Sequence, residues 1–178
     1  MTTVYDLAEQ LKSGSISMST WEAGMRDFNR DEVTTAMILA KGGRDFVTPS
    51  DWGFVGSQVK AQYGFLTGFK NDIASNPDKW LNGNALNARA DLYGQLGYAA
   101  LEQDIGREHE KDGYTEERSV AVAHDDKNCD DCLEEEARGW VGIGEISPIG
   151  SRRCCTNDRC SMEYRKPDGN GGWIYGND

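Results

Sequence analysis

The chain lacks long apolar runs. No stretch approaches the roughly 20 consecutive apolar residues that cross a bilayer, and the amino terminus lacks the basic-then-apolar order of a secretion signal. These absences predict a protein that is made and used in solution, with no membrane contact. Without an export signal, we expect the cysteines to meet a reducing compartment, where a metal site is favoured over disulfides.

Basic residues are also scarce. Lysine and arginine together number 19 against 30 acidic residues, which gives a formal charge of -11. Binding to a nucleic-acid backbone needs clustered lysine and arginine to replace counterions, so this balance argues against direct nucleic-acid binding. The sequence also lacks the Gly-x-x-x-x-Gly-Lys-Ser/Thr loop that holds nucleotide phosphates.

Only two histidines are present, and neither stands in a catalytic pattern. His109 begins His-Glu-Lys-Asp-Gly, which has the first two residues of the zincin helix motif but no second histidine four positions on. We interpret it as a solvated helix end. No cysteine stands apart from the cluster with an obvious histidine partner, as a nucleophile would. We therefore expect no enzymatic activity.

Apolar residues repeat at helical spacing through the first part of the chain. Expected helices run from Val4 to Leu11, from a cap at Ser19 or Thr20 to Lys41, from Thr48 to Ile73, and from Ala85 to about Lys111. The segment around Trp80 is expected to be a linker. Long helices with short polar connections predict an antiparallel bundle, so residues 1–112 form the predicted helical body.

Four glycines interrupt the pattern of the third predicted helix: Gly53, Gly56, Gly64 and Gly68. Each costs up to about 1 kcal/mol in a helix interior relative to alanine. They therefore indicate either close packing against another helix or a break in the helix. The aromatic residues of the helical stripes are predicted to lie in the core: Trp21, Trp52, Tyr63, Phe65, Phe69 and Tyr93.

The pattern changes after Gly113. Short β-like runs at 119–123 and 140–146 flank a helical turn at 133–138, and residues 161–164 are candidates to pair with one of these runs. The predicted fold class is mainly α, within α+β: an N-terminal helical bundle with a small C-terminal zinc-binding module over residues 113–166. The glycine- and asparagine-rich tail, residues 167–178, is expected to be loose, or to order against a neighbouring subunit through Trp173 and Tyr175.

All five cysteines lie between Cys129 and Cys160. Their spacing is C-x2-C-x21-C-C-x4-C, which is a tight knuckle followed by three thiols on a long return loop. A C-x-x-C turn directs two thiolates at one ion, and tetrahedral zinc then needs two further sulfur or nitrogen donors. We predict one structural zinc, held by Cys129 and Cys132 with Cys155 and Cys160 as the second pair.

The spacing leaves alternatives open. Cys154 is the thiol left over; it and His124 are reserve ligands, and Asp158 would ligate through oxygen, which is unusual for structural zinc. Reduced thiols without metal, or a disulfide formed after release from the cell, are the other interpretations. A zinc with four thiolates has no open position for water, so the predicted site would stabilise a fold and not catalyse a reaction.

Acidic runs surround the knuckle: Asp125-Asp126, Asp130-Asp131 and Glu134-Glu135-Glu136. We expect them to form a solvated face. The other interpretation is a contact with a basic patch on a partner, such as the inner wall of a shell or a portal protein.

The cysteine segment also carries a resemblance. Gly139-Trp140 follows the knuckle, Gly150 lies in the loop, and the run from Cys155 to Tyr164 closes the segment. This arrangement resembles the carboxy-terminal part of tailed-phage minor head proteins of the head-morphogenesis (Mu F-like) type, which end in a C-x-x-C knuckle, a Gly-Trp segment and a C-x-x-N-C-R-C-like run before an aromatic residue. Asp158 stands where that pattern has its middle cysteine, which leaves open the group that completes the metal site.

The upstream half is similar to the same family in a looser way, through Trp21-x3-Met25, Gly42-Gly43, Gln62-x3-Leu66-x2-Phe69 and Arg89-x3-Tyr93. The resemblance implies a virion protein that is assembled in the host cytoplasm. It would be a minor head or capsid-associated subunit that stabilises the capsid or its portal connection. Its implied partners are phage capsid or portal proteins and sister subunits of a homo-oligomer.

Two other function classes remain open. A zinc-dependent hydrolase or deaminase is one; deaminases pair C-x-x-C with an upstream His-x-Glu or Cys-x-Glu, whereas His124 is followed by two aspartates and Cys129 comes only five residues after it. An intracellular adaptor with a zinc-ribbon-like interaction module is the other. Such an adaptor would share the predicted architecture but belong to no particle.

Overall fold

The computed structural model describes residues 3–94, 96–121, 128–147, 152 and 160–177. It is 64% helical, and its described strands form one four-stranded antiparallel sheet towards the carboxyl end. This confirms the predicted fold class, mainly α with a small sheet. Among the described residues, no helix combines the length and apolar character that crossing a membrane requires.

The chain divides into two compact units, Met1–Ala100 and Leu101–Asp178. The described helices are α1 (Val4–Lys12), α2 (Met18–Ala40), α3 (Pro49–Ser75), α4 (Pro77–Leu81), α5 (Ala85–Tyr93), α6 (Leu96–Lys111) and α7 (Asp130–Ala137). The division between the units falls inside α6, whereas the helical body predicted from the sequence ends at residue 112, after the end of α6.

Three helices of the first unit, α1, α2 and α3, begin at residues whose side chains cap them. Thr3 forms a capping box with Asp6 at the start of α1, and Thr48 forms one with Asp51 at the start of α3. Each threonine hydroxyl accepts a hydrogen bond from a backbone N–H that the first turn leaves without a helical partner. α2 is capped by Ser17, two residues before the expected position.

α2 and α3 pack side by side in opposite directions. Near the start of α2, Glu22 Oε2 accepts a hydrogen bond from Lys70 Nζ (2.6 Å), close to the end of α3. Further along, the Tyr63 hydroxyl donates to the carbonyl oxygen of Arg26 (3.2 Å). Hydrogen bonds from Lys70, and then from Arg26, hold the pKa of Glu22 below its usual range. The buried cluster at these helices includes Trp21, Met25, Leu66, Phe69 and Ile73.

α3 continues without a break through the four glycines that interrupt its apolar pattern. A Cβ built at any of them would meet no neighbouring atom within 4 Å. Close packing inside the described chain therefore does not explain these glycines. Phe65, predicted to be a core residue, is 63% exposed.

Two other predictions need correction. The expected linker around Trp80 forms the short helix α4, and the Trp80 indole N–H donates to Asp72 Oδ2 (3.0 Å) on α3. The expected single helix from 85 to 111 is two helices. α5 ends at Gly94, whose N–H is shared between the carbonyl oxygens of Ala90 and Asp91, which is how a tightening last turn ends a helix.

The second unit is built on the sheet. Its strands are β1 (Glu116–Ala121), β2 (Val141–Gly142), β3 (Cys160–Pro167) and β4 (Trp173–Asn177), in the order β2-β1-β3-β4. Directly opposite residues of β1 and β3 share a face, and one face is buried: it carries the pairs Glu117 with Tyr164, Ser119 with Met162, and Ala121 with Cys160. The small apolar cluster of this unit consists of Ile146, Met162 and Tyr164.

Residues 173–177, expected to be part of a loose tail, form β4. The turn before β4 explains the difference, because the Asp168 carboxylate accepts hydrogen bonds from the N–H groups of Asn170 (2.7 Å) and Gly172 (2.9 Å). These donors hold the pKa of Asp168 below its usual value. Gly169 and Gly171 have positive φ angles of 81° and 90°, which glycine adopts without strain. The glycines thus close a tight turn between β3 and β4.

Candidate metal centre

Cys129 and Cys132 form the predicted knuckle at the start of α7. Cys129 is the N-cap, and its carbonyl oxygen accepts hydrogen bonds from the N–H groups of Cys132 (3.0 Å) and Leu133 (3.2 Å). This turn brings the two Sγ atoms to 3.3 Å from each other. The C-x-x-C spacing predicts this contact, because side chains three residues apart on a helical turn are neighbours.

The geometry of this pair fits a zinc ion. Two thiolates on one tetrahedral zinc lie about 3.8 Å apart, given Zn–S bonds of about 2.3 Å. The observed separation of 3.3 Å is slightly shorter, so a small rotation of either side chain would admit the ion. Cys132 is buried and Cys129 is half-buried. Two sulfur donors in a partly shielded position match the chemistry of a structural zinc site.

Cys160 lies at the first position of β3, opposite Ala121 at the last position of β1. α7 packs on this end of β1, because Glu136 Oε1 accepts a hydrogen bond from the Ala121 N–H (3.0 Å). Glu136 and Cys132 are one turn apart on the same face of α7. The fold therefore brings Cys160 to the side of α7 that carries Cys132.

The described part of the centre contains three of the four predicted ligands: Cys129, Cys132 and Cys160. Among the described residues, their three sulfurs do not all lie within 4.8 Å of one another. Cys155, the remaining predicted ligand, lies outside the described residues. So do the reserve ligands His124, Cys154 and Asp158. The knuckle is thus the half of the centre whose geometry is defined.

The run Glu134-Glu135-Glu136 is not wholly a solvated face. Glu134 is exposed, but Glu136 binds the end of β1, and Glu135 accepts hydrogen bonds from the Ser147 N–H (3.2 Å) and from Arg138 (2.8 Å). Burial raises the pKa of Glu135, but these hydrogen bonds outweigh burial and leave the pKa below its usual value. Two of the three glutamates therefore fix α7 to the sheet and to the following loop.

Glu117 is a buried carboxylate that the sequence pattern did not predict. It is 4% exposed, and its Oε1 accepts hydrogen bonds from the N–H groups of Gly144 (2.9 Å) and Ile146 (3.0 Å). Burial raises its pKa, and the backbone donors oppose that rise only in part. The predicted strand begins at Ser119; a strand that begins earlier would place Glu117 on the buried face by its period of two.

Arg152 is another buried charged residue of the second unit. It is 2% exposed and donates to the carbonyl oxygen of Ser147 (2.9 Å) and to the Ser119 hydroxyl (2.8 Å). It thereby links Ser147 to Ser119 on β1. No local sequence signal indicates this role, because its partners lie 5 and 33 residues away.

His109 is not a solvated helix end. Its ring is half-buried and stacks on Tyr164 with centroids 4.1 Å apart, and it meets the edge of Tyr114 at 4.8 Å. The residue contributes to packing under β3. His109, the first residue of the zincin-like segment, is therefore a packing residue.

Comparison with protein-family models, with curated proteins and with solved structures finds no match for this chain.

Proposed function

We propose that this chain is a non-catalytic structural subunit of a phage particle, a minor head or capsid-associated protein with one structural zinc in its second unit. The observation that carries the metal site is the pair of knuckle sulfurs 3.3 Å apart at the start of α7. The ligands are Cys129, Cys132 and Cys160, with Cys155 as the fourth. The virion assignment is supported by the resemblance of the cysteine segment.

Zinc has a clear physical role in such a unit. The second unit has a small apolar cluster of three buried residues, and small domains bury too little apolar surface to be very stable without additional links. A structural zinc contributes its binding free energy directly to folding. The ion would fix α7 relative to β3, and the sheet would hold the surrounding loops.

The proposed partners are capsid or portal proteins and sister subunits. In this proposal the particle is assembled in the host cytoplasm, and the chain contacts neither nucleic acid nor membrane directly. The acid-rich composition, with 30 acidic residues against 19 basic ones, is consistent with protein contacts in place of phosphate contacts.

Native mass spectrometry of the purified full chain tests the metal site. We expect one zinc per chain, lost or strongly weakened in Cys129→Ser and Cys132→Ser. Cys154→Ser is the matched control, because the spacing leaves this thiol over; it should keep the ion. A wild-type chain that stays metal-free after zinc is supplied, or a Cys132→Ser variant that still carries stoichiometric zinc, would contradict the site.

The virion assignment has a separate test. We expect a gene for a portal or capsid protein beside the gene for this chain, and the chain itself in particles purified from that phage, detected by peptide mass spectrometry. A chain that binds zinc but is absent from purified particles would instead belong to the adaptor class. The metal site and the virion role can thus fail independently.

A further inference from the structure

β4 forms one edge of the described sheet. The ladder shows which of its residues direct their backbone groups towards β3 and which direct them outwards. The Asp168 N–H donates to the carbonyl oxygen of Gly172 (3.1 Å), in the same register that places Pro167 opposite Trp173. Asp168 and Gly172 are therefore a hydrogen-bonded pair. In an antiparallel ladder, hydrogen-bonded and non-hydrogen-bonded pairs alternate, so the pairs that follow along β4 are determined.

This alternation assigns the backbone groups of β4. Ile174 and Gly176 direct their N–H and C=O groups towards β3. Trp173, Tyr175 and Asn177 direct theirs to the outer edge, where no described strand lies. The outer edge thus offers three donors and three acceptors at the spacing of a β-ladder.

The edge lacks two of the features by which edge strands avoid pairing, namely charged side chains and proline. Natural edges are protected by charged side chains, proline or bulges. β4 reads Trp-Ile-Tyr-Gly-Asn, without charge or proline, in a chain of which 28% is charged. Trp173, Ile174 and Tyr175 are 39%, 45% and 58% exposed. An uncharged and exposed edge favours pairing with another strand.

The face beside this edge is ordered and electrically neutral. The Arg165 guanidinium lies between the rings of Trp140 and Trp173, at 4.4 Å and 3.9 Å from their centroids. Arg165 also pairs with Glu116 on the neighbouring strand. Tyr175 contacts Trp140 at 5.8 Å between ring centroids. These contacts hold the aromatic rings of the edge in place, so little side-chain freedom remains to be lost on association.

We propose that β4 pairs antiparallel with β4 of a second copy of this chain, about a two-fold axis at Tyr175. Tyr175 then lies opposite its own copy, and Trp173 lies opposite Asn177 of the other chain. Each of the three outward residues forms a hydrogen-bonded pair, and the two four-stranded sheets become one sheet of eight strands. A second copy suits this edge because a two-fold contact pairs a patch with itself, and a strand without charge meets no repulsion when it does so.

This inference specifies the surface through which sister subunits of the proposed function contact each other. It rests on the proposed function for the existence of a homo-oligomer. The pairing itself is argued from the composition and backbone geometry of β4, without the zinc ligands. A single five-residue strand pair is smaller than the roughly 800 Å² per partner of a standard stable interface. We therefore expect a dimer that depends on protein concentration, and whose contact gains strength where many copies are held together.

Sedimentation of the full chain over a range of concentrations tests the dimer. We expect reversible dimerisation of the wild type, and a dissociation constant about tenfold higher for Tyr175→Lys, because the substitution occurs twice and places like charges opposite each other. Tyr175→Phe keeps the ring and should dimerise like the wild type. Leu39→Lys is the matched control, since it adds the same charge at a residue that is 73% exposed on α2.

Amide hydrogen exchange followed by NMR gives the second readout. In the dimer, the amides of Trp173, Tyr175 and Asn177 should be protected along with those of Ile174 and Gly176. In Tyr175→Lys at low concentration, only Ile174 and Gly176 should remain protected, which also shows that the variant keeps β4 folded. Zinc stoichiometry should be the same in all variants, which separates this test from that of the metal site.

A chain that stays monomeric up to its solubility limit would overturn the proposal. So would a dimer whose dissociation constant is unchanged by Tyr175→Lys, or in which the amide of Tyr175 exchanges as fast as in the monomer. In the last two cases the second copy binds elsewhere.

Discussion

At the scale of single residues, two effects shift the pKa of Glu117 in opposite directions. Its burial favours the protonated carboxyl, while the N–H groups of Gly144 and Ile146 favour a charged acceptor. Both of these N–H groups donate to the same oxygen, Oε1, so Oε2 can hold a proton without breaking either hydrogen bond. The net effect is a pKa raised above the ordinary glutamate value.

This raised pKa predicts a pH dependence with a definite sign. The protonated form is favoured by the fold, so its stabilising contribution is complete below the unfolded-state pKa of about 4.3. The contribution is lost as the pH rises through the raised folded-state pKa. We expect Glu117→Gln, which keeps an acceptor oxygen and carries no charge, to be at least as stable as the wild type at neutral pH and to lack this pH dependence.

Urea unfolding at a series of pH values checks the prediction, with Glu117→Ala as the contrast. Alanine leaves the Gly144 and Ile146 N–H groups without their acceptor, which should lower the free energy of unfolding by about 2 kcal/mol. Equal losses for the glutamine and alanine variants at neutral pH would show that the charge itself is needed, and would contradict the expected direction of the pH dependence.

At the scale of elements, α3 shows how a helix tolerates poor helix formers. Its capping box at Thr48 satisfies the first turn, and a buried stripe holds one side against the core: Val55, Leu66, Phe69 and Ile73. The glycines lie on the other side, where an added Cβ would meet no atom within 4 Å. Tertiary packing therefore outweighs the low helix propensity of these positions.

Substitution of these glycines should stabilise the protein. We expect Gly56→Ala and Gly64→Ala each to raise the free energy of unfolding by about 0.5–1 kcal/mol, because alanine has the higher helix propensity and reduces the freedom of the unfolded chain. Urea unfolding measures the change.

Gly24→Ala on α2 is the matched control. It brings the same gain in propensity, but its Cβ would lie 2.7 Å from Leu7 Cδ2 in the packed core. The gain should therefore be absent or reversed. If Gly56→Ala and Gly64→Ala also failed to stabilise the chain, the α3 face would not be open in solution.

At the scale of the whole molecule, the two compact units differ in what holds them together. The first has an extended apolar cluster that includes Trp21, Leu66 and Phe69. The second relies on a small cluster, on buried polar groups such as Glu117 and Arg152, and on the proposed zinc. Metal removal should therefore affect the two units unequally.

We expect a chelator to remove the protection of amides in β1 and β3 against hydrogen exchange and to leave the protection in α2 and α3 nearly unchanged. Added zinc should restore the lost protection, and added magnesium, the control, should not, since it prefers oxygen ligands. Equal loss of protection in both units would mean that the metal does not act through the second unit.

Several features of this protein follow from the sequence because their causes are local. Thr48 with Asp51, and Cys129 with Cys132, act across one helical turn, so their spacing is sufficient to predict a helix start and a thiol pair. Hydrophobic periodicity likewise predicts the order of helical and β-like segments. The fold class could be predicted for that reason.

Other features were decided by tertiary structure, because they depend on groups far apart in the chain. The acidic run after the knuckle has the composition of a solvated face, yet Glu136 binds the backbone of Ala121 15 residues away. Arg152 donates hydrogen bonds to Ser119 and Ser147, which lie 33 and 5 residues away in the chain. The tail becomes β4 because β3 supplies the hydrogen-bonding partners that an isolated strand lacks. Periodicity and spacing record contacts within a turn or a strand, whereas these contacts arise only when separate segments meet.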